Sequence, residues 1–319
     1  MPNINERLIF DSKKSRIVNH LLQISNSMII FNRKENTDGI LIILVVSHFN
    51  IPTYNVVSLE KQIPNGITQP LLMKTDDGLY VVKHCQNVDG TKILVNEFVC
   101  YKLAKLLSVP IPKASLIKIS EEIINADPNL QKTGIKPGIH FGSQFNKNAN
   151  SSAVAPPLLN RIINQDDIPS IILFDQIIYN DDRTKNKGNL LIDTKAKEIL
   201  AIDHSHTFKN GALWNETELR RINSDPLCLV KDFHEYNYRV MLNYVNGHSP
   251  FNKILSKIHS LKQEDIDWCF EELPLEWNLI ETEKVALKRF IWYRICNVND
   301  FLELLKDQCP GWKGGNRGA

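Results

Sequence analysis

The chain has 319 residues, 43% hydrophobic and 23% charged, with a formal net charge of +2. These values suit a globular protein built as one large domain or a tightly coupled pair. They give no electrostatic footprint for a nucleic-acid partner, because Lys and Arg are scattered and no basic stripe is interleaved with aromatic residues.

The six cysteines, Cys85, Cys100, Cys228, Cys269, Cys296 and Cys309, show no zinc-ligand spacing, and a chain of this size needs no disulfide staples. The reading is reduced thiols in a cytoplasmic protein. Ile40–Val46, the longest apolar run, is too short to cross a bilayer and predicts a buried strand. Residues 1–27 lack the apolar core and cleavage site of a signal peptide. A helix is expected around Arg16–Ile24, and nothing in residues 1–50 suggests chemistry.

From Tyr54 onward the pattern sharpens. Leu71–Met73 and Leu79–Lys83 predict strands around the turn Asp76-Asp77-Gly78. Asn87–Gly90 predicts a second turn, and Thr91–Leu107 a helix with a mostly apolar face. Pro110 and Pro112 stop it. Ala114–Ile119 and Ile139–Phe145 predict further strands. The polar stretch Asn146–Ser152 reads as a hinge. Ile168–Tyr179 predicts an apolar helix, with Pro169 tolerated in its first turn. Asn189–Ile192 and Ile199–Ile202 predict a hairpin around Asp193–Lys197. Residues 217–308 read as largely helical, with Trp268, Phe270, Trp277, Leu287, Phe290 and Trp292 in a core. A β-rich first half followed by an α-rich second half suggests two lobes with a cleft between them.

Four segments carry residues suited to chemistry. Lys83 ends an apolar strand, and a lysine that points inward there needs a counter-charge, which Glu97 on the next helix can supply. A solvated strand end has the same sequence signature. Gly66, in Asn65–Pro70, permits close approach of backbone to a phosphate, although an ordinary turn reads alike. A loop dense in Asn, Asp and Arg leads from the apolar helix into an apolar strand. Taken alone it is equally a solvated turn, but Asp182 beside Arg183, with Asn189 next to the strand, places a carboxylate and an amide oxygen at the strand's mouth. Asp203 closes the partner strand, so a hairpin brings it to the same end as Asn189. With Asp203, His204 and His206 also read as a transition-metal set, though no further ligand cluster lies nearby. Phosphoryl transfer from ATP needs a lysine fixed by a carboxylate, two oxygen ligands for magnesium and a carboxylate near the attacking hydroxyl. The four segments offer these in a fitting order.

In these segments the chain resembles HipA-like kinase domains, within the wider group similar to phosphatidylinositol 3- and 4-kinases and, more distantly, protein kinases. The resemblance runs from about Ile63 to Leu305 and is carried by NGITQP, LYVVK, VNEFVCYKLAKLLSVPIP, GIHFGSQF, NDDRTKNKGNLLI, AIDHSHTF and ELPLEW. It implies an α+β, two-lobed protein-kinase-like fold with the ATP site in the cleft. Residues 51–147 would form the β-rich N-lobe and 148–309 the mostly α-helical C-lobe, with 1–50 an extension of unassigned role and 310–319 a flexible tail. By the same resemblance, Lys83 contacts the ATP phosphates and pairs with Glu97, and Gly66, Ile67 and Thr68 cover the phosphates. Gln144, Phe145, Asn146 and Lys147 lie near the adenine. Asp182 is the catalytic carboxylate, Arg183 supports its loop, and Asn189 and Asp203 hold Mg2+. Two departures stand out. Lys187 occupies the spacing at which protein kinases carry their metal-binding asparagine, and HipA-like sequences carry two asparagines in this loop, so by the resemblance Asn186 competes with Asn189; Asn189 is preferred because it adjoins the strand Leu190–Ile192. Asp203 is followed by His-Ser where kinases often have Phe-Gly, which puts any phenylalanine-based switch in doubt.

The expected activity is transfer of the γ-phosphoryl group of ATP to a hydroxyl, with a protein Ser or Thr implied by the resemblance alone. A lipid or small-molecule kinase, an AMP transferase with the nucleotide reversed, and a nucleotide-holding pseudokinase are alternatives on the same residues. Retention of Lys83, Glu97, Asp182, Asn189 and Asp203 argues against the last. An unidentified protein substrate is expected, an antitoxin-type or other regulatory partner stays open, and neither nucleic acid nor a membrane span is expected.

Overall fold

The computed structural model describes residues 29–30, 44–45, 49–63, 69–87, 89–151 and 154–313. The chain divides into two units, residues 1–51 and 52–319. In the first, strands β1 (Ile29–Ile30) and β2 (Leu44–Val45) pair antiparallel. Leu44 and Val45 belong to the apolar run expected as a strand. The helix expected near Arg16–Ile24 lies outside the described residues.

The second unit begins with β3 (Thr53–Gln62), β4 (Leu71–Thr75), β5 (Leu79–Lys83), β6 (Ala114–Ile119) and β7 (Gly138–Gln144). They close into a barrel in the order β3-β4-β5-β7-β6. Every pair is antiparallel except β3 with β6. Strand β3 is unforeseen: only Val56 along its ten residues is buried, so it lacks a clean apolar alternation. Two register shifts against β4 bend it, and the bend lets its first residues meet β6 and close the barrel. Leu71, Met73, Tyr80, Val82 and Ile117 fill the core with Val56, each apolar side chain contributing about 1.5–3 kcal/mol by its burial. Gly142 has no room for a side chain, since a Cβ there would lie 2.5 Å from Ile117 Cγ1.

His140 on β7 is 1% exposed. Its Nε2–H donates to the Lys136 carbonyl at 3.2 Å, and Nδ1 faces Cys85 Sγ at 3.8 Å. Burial pushes its pKa down to about 4. The unfolded chain, titrating near 6.5, therefore takes up this proton first as the pH falls. The stability His140 contributes is fully present above pH 6.5 and declines toward pH 4, by a total on the order of 3 kcal/mol. Buried His84, also shifted down, adds to the same slope. In urea unfolding between pH 6.5 and 4, His140→Gln is expected to reduce proton uptake by up to one proton. An unchanged slope would show that burial does not hold this ring neutral.

Helix α1 (Lys92–Leu106) packs on β7. The sequence predicts one apolar face, yet every residue from Ile93 to Ala104 is buried, including Asn96, Glu97 and Lys102. Those polar side chains therefore need internal partners. Lys102 donates to the carbonyls of Trp268 (3.2 Å) and Glu271 (2.8 Å) and lies over the Trp268 ring. The helix ends as expected before the prolines, with Ser108 at φ 56°. Short helices α2 (Glu121–Ala126) and α3 (Pro128–Lys132) follow β6, capped by the side chains of Ser120 and Asp127.

Beyond the barrel, β8 (Ala149–Asn150), β9 (Leu190–Asp193) and β10 (Glu198–Ala201) form an antiparallel sheet in the order β10-β9-β8. The polar stretch read as a hinge thus carries a strand. Asn146 Nδ2 donates to Asp193 Oδ2 at 2.5 Å, and the Thr194 N–H and hydroxyl both donate to the Asn148 carbonyl. Cross-strand pairing thus satisfies polar groups of this stretch.

The rest is helical: α4 (Pro156–Leu159), α5 (Ile168–Ile178), α6 (Asp182–Lys185), α7 (Glu216–Ser224), α8 (Tyr236–Met241), α9 (Asn252–Ile258), α10 (Gln263–Trp268), α11 (Glu281–Cys296) and α12 (Val298–Lys306). Every residue of α5 is buried, as its apolar sequence requires, and α8, α9, α11 and α12 pack against it. It ends at Tyr179, in the left-handed region at φ 50°. There Arg294 of α11 donates to the Gln176 carbonyl at 2.7 Å and the Ile177 carbonyl at 3.0 Å, a cation at a helix C-terminus. Burial lowers the Arg294 pKa to about 10. Of the expected core aromatics, Trp268, Phe270, Trp277 and Phe290 are buried with Leu287, while Trp292 is half-buried. Among the described residues no helix is long and apolar enough to cross a membrane.

Candidate active site

The barrel directs Lys83, the last residue of β5, toward α1. Its Nζ donates to Glu97 Oε1 at 2.5 Å, Asp203 Oδ1 at 2.6 Å and Ser205 Oγ at 2.6 Å. The side chain is 12% exposed, so the reading of Lys83 as a solvated strand end does not hold. Burial lowers the lysine pKa, and the carboxylates of Asp203 and Glu97 more than reverse this to raise it. Burial raises the Glu97 and Asp203 pKa values, and the Lys83 ammonium drives both below the usual carboxylate range. Glu97 Oε1 also accepts from the His204 N–H and the Ser205 hydroxyl, both at 3.0 Å. Asp203 itself has φ 59°, a left-handed conformation that aspartate tolerates better than most residues.

A second network holds the loop between α5 and β9. Arg183 is fully buried. Its Nε donates to Asp175 Oδ2 at 2.7 Å, Nη1 to the carbonyls of Asn189 and Ile202, and Nη2 to His204 Nε2 at 3.1 Å. One guanidinium thus joins helix α5, the loop and both strands of the β9–β10 hairpin. Burial lowers the Arg183 pKa, and Asp175 raises it by more. Asp175 also accepts from the Tyr238 hydroxyl at 2.9 Å and from Asn180 Nδ2 at 3.2 Å.

Asp182 opens α6, and its Oδ2 accepts from Asn189 Nδ2 at 2.6 Å. The Ile202 N–H donates to the Asn189 carbonyl at 3.2 Å, so Asp182, Asn189 and Asp203 gather at one end of the hairpin. Asn186 is exposed, and its Oδ1 accepts from the Gly188 N–H. Asn189, rather than Asn186, therefore stands beside Asp182.

The two histidines diverge. A guanidinium only donates, so His204 accepts through Nε2 and carries its proton on Nδ1, toward Glu97 Oε2 at 3.8 Å. His206 faces Asp89 Oδ2 at 3.6 Å instead. Among the described residues no group of three or more His, Cys, Asp and Glu side chains is arranged to hold a metal ion, and the transition-metal reading is set aside.

Gln144 lies at the end of β7, and its N–H donates to the Lys113 carbonyl; the Phe145 N–H donates to the Leu79 carbonyl, both at 2.8 Å. Asn146 is committed to Asp193, while Phe145 and Lys147 are exposed. Gly66, Ile67 and Thr68 lie outside the described residues; the flanking Ile63 N–H donates to the Pro70 carbonyl at 2.9 Å. A surface concavity of about 630 Å³, lined by Leu227, Asp300, Glu303, Leu304, Lys306 and Asp307, includes none of these residues. Sequence reasoning missed Ser205, Asp175 and Asn96. Of these, only Asp175 left a signal, as an acid inside an otherwise apolar helix.

A barrel lysine paired with a helix carboxylate, followed by an Asp-Arg loop and a hairpin ending in aspartate, defines a protein-kinase-like arrangement. The chain matches the model of the HipA-like kinases over residues 56–302, and it belongs to that family of kinase-type phosphotransferases. Among solved structures it is similar to the Helicobacter pylori proinflammatory kinase CtkA, at a TM-score of 0.50 and 12% identity, over 82% of this chain and 98% of that one. That likeness is one of fold. Two others score 0.37: the Golgi casein kinase with Mn and ADP bound, at 11% identity over 90% of this chain and 76% of that one, and the Shewanella oneidensis HipA in complex with HipB and operator DNA, at 10% identity over 96% and 75%. No curated protein sequence matches the chain.

Proposed function

We propose that the chain binds ATP with Mg2+ and moves the γ-phosphoryl group to a hydroxyl, that of a protein serine or threonine. The observation that carries this reading is Lys83 held between Glu97 and Asp203 while Asp182 and Asn189 bond to each other at the same hairpin end. In this reading the barrel and α1 form an N-lobe over residues 51–147, residues 148–309 form the C-lobe, and ATP lies in the cleft between them. Gly311 and Lys313, expected in a flexible tail, bond through their backbones to Gly247, and Trp312 is buried.

The residues present fit magnesium. Asp203 uses Oδ1 on Lys83 and Asn189 uses its amide nitrogen on Asp182, so each keeps an oxygen for a hard cation. Bound magnesium supplies neutralising charge on the ATP phosphates. Lys83 contacts the phosphates, held in place by Glu97. Asp182 accepts the proton of the attacking hydroxyl as its oxygen bonds to the γ-phosphorus and the bond to the ADP oxygen breaks. Arg183 keeps Asp182 and Asn189 in register. Gly66, Ile67 and Thr68 cover the phosphates, and Gln144 to Lys147 border the adenine. Family membership supports a protein acceptor and a regulatory partner of the antitoxin kind.

The test is incubation of the purified chain with Mg-ATP, with and without cell lysate, identifying nucleotide products and protein mass changes. ADP and phosphate-sized additions are expected, reduced at least about 10²-fold by Asp182→Ala and Asp203→Ala. AMP-sized additions with pyrophosphate would replace phosphoryl transfer by nucleotide transfer. ATP binding without products would leave a pseudokinase, and no binding at all would overturn the site.

A further inference from the structure

We infer that Asn96 is a positioning residue, clasping the segment that follows Asp203 so that the aspartate is held for metal and phosphate. Its catalytic consequence rests on the phosphotransferase reading above.

Lys92, Asn96 and Cys100 stand four residues apart on α1 and so share one stripe of the helix. All three face residues 205–214. Lys92 Nζ donates to the Trp214 carbonyl at 2.7 Å and lies over its ring at 4.7 Å. Cys100 Sγ lies 3.7 Å from Thr207 Oγ1. Asn96, fully buried, makes the central contact. Its Nδ2 donates to the Ser205 carbonyl at 2.6 Å and the Gly211 carbonyl at 3.1 Å, and its Oδ1 accepts from Trp214 Nε1 at 2.9 Å. A primary amide offers two donors and an acceptor in one plane; a carboxylate lacks the donors and a hydroxyl has one. One side chain therefore fixes two carbonyls six residues apart together with the indole beyond them.

Asn96 precedes Glu97, which accepts from the Ser205 hydroxyl and the His204 N–H. Consecutive residues of α1 thus grip Ser205 by its carbonyl and by its side chain. On the opposite side, the Phe208 N–H donates to the Ile178 carbonyl at 2.8 Å and the Lys209 N–H to the Tyr179 carbonyl at 3.2 Å. Asp203 lies two residues before Ser205 with φ 59°, a conformation that persists where surrounding contacts over-determine it. Loosening Asn96 lets the segment leave the grip and lowers the population in which Asp203 faces the metal.

The test uses the full chain, with Asn96→Ala and, as a second probe, Trp214→Phe, which keeps an aromatic side chain but removes the indole N–H together with part of the buried ring. Amide hydrogen exchange over residues 204–213 is expected to speed up about tenfold or more in Asn96→Ala, with barrel residues 71–83 unchanged. The Mg2+ concentration for half-maximal ADP formation is expected to rise about tenfold as the competent population falls. Trp214→Phe should shift both in the same direction by less. A fall in kcat with unchanged Mg2+ dependence would mark Asn96 as merely structural and overturn the proposal, as would wild-type exchange in a folded variant. If Asn96→Ala does not fold, Trp214→Phe decides by the same readouts. If the wild-type chain forms no ADP, the phosphotransferase reading fails, while the exchange measurement still judges the clasp.

Discussion

Asp175→Leu is expected to lower the unfolding free energy by about 3–5 kcal/mol and to abolish phosphoryl transfer even in the fraction that folds. Asp175 and Arg183 are both fully buried, 2.7 Å apart. Removing the carboxylate leaves a guanidinium without its counter-charge and frees the Tyr238 hydroxyl and Asn180 amide bonded to the same group. Replacing both partners by apolar residues often recovers the stability lost from a buried ion pair, but here the other contacts of Arg183 decide the outcome. The guanidinium also donates to the Asn189 and Ile202 carbonyls and to His204 Nε2. In Asp175→Leu/Arg183→Met the Ile202 carbonyl and His204 Nε2 lose their donor, at about 1–3 kcal/mol for each left buried and unpaired, while the Asn189 carbonyl keeps the Ile202 N–H. The double variant should therefore stay well below wild type in urea unfolding. Wild-type stability in it would show that the pair is a dispensable buried charge and not the tie between α5 and the hairpin.

This network also separates what was legible in the sequence from what was not. Lys83, Asn189 and Asp203 could be picked out because each sits where an apolar strand ends or begins, and Asp182 because it stands in the polar loop between the apolar helix and the next strand; both positions are set by short-range pattern. The fold then brings Lys83, Glu97 and Asp203 into contact, and Asp182 onto Asn189. Ser205 and Asn96 had no such local mark. Asn96 meets the Ser205 carbonyl across 109 positions and the Trp214 indole across 118, and nothing within one helical turn of a polar residue in an apolar helix says which partners will satisfy it. Strand β3 escaped because a bulged, largely solvated strand has no alternation to read. Strand β8, within the polar stretch that begins at Asn146, was not foreseen, since Asn there suits a linker and also suits the end of a strand whose groups pair with Asp193 and Thr194. Helix α1 was recognised from its apolar residues, but its polar residues, buried by the second half of the unit, are the ones that join the site together.

Lys83→Met is expected to cut phosphoryl transfer by about 10²–10³-fold and to change how stability depends on pH. In the wild-type protein the ammonium holds Glu97 and Asp203 below the usual carboxylate range. A carboxyl depressed in the folded state contributes stability that is present above its unfolded pKa, about 4, and lost as the pH falls through the lower folded value. Between pH 5 and 7.5 that contribution is complete and constant. In the variant, burial, which raises both groups, acts without its counterweight, and two carboxylates meet around a thioether. Their folded pKa values then lie above the unfolded ones, so their contribution is present below about pH 4 and lost as the pH rises through the folded values. His140 titrates in both proteins and cancels in the comparison. The gap in unfolding free energy between wild type and Lys83→Met should therefore widen from pH 5 to pH 7.5, measured by urea unfolding at fixed ionic strength. A gap that is constant or narrows would mean that Glu97 and Asp203 do not depend on Lys83 for their charge, and the three-way ion cluster at the centre of the site would lose its electrostatic basis.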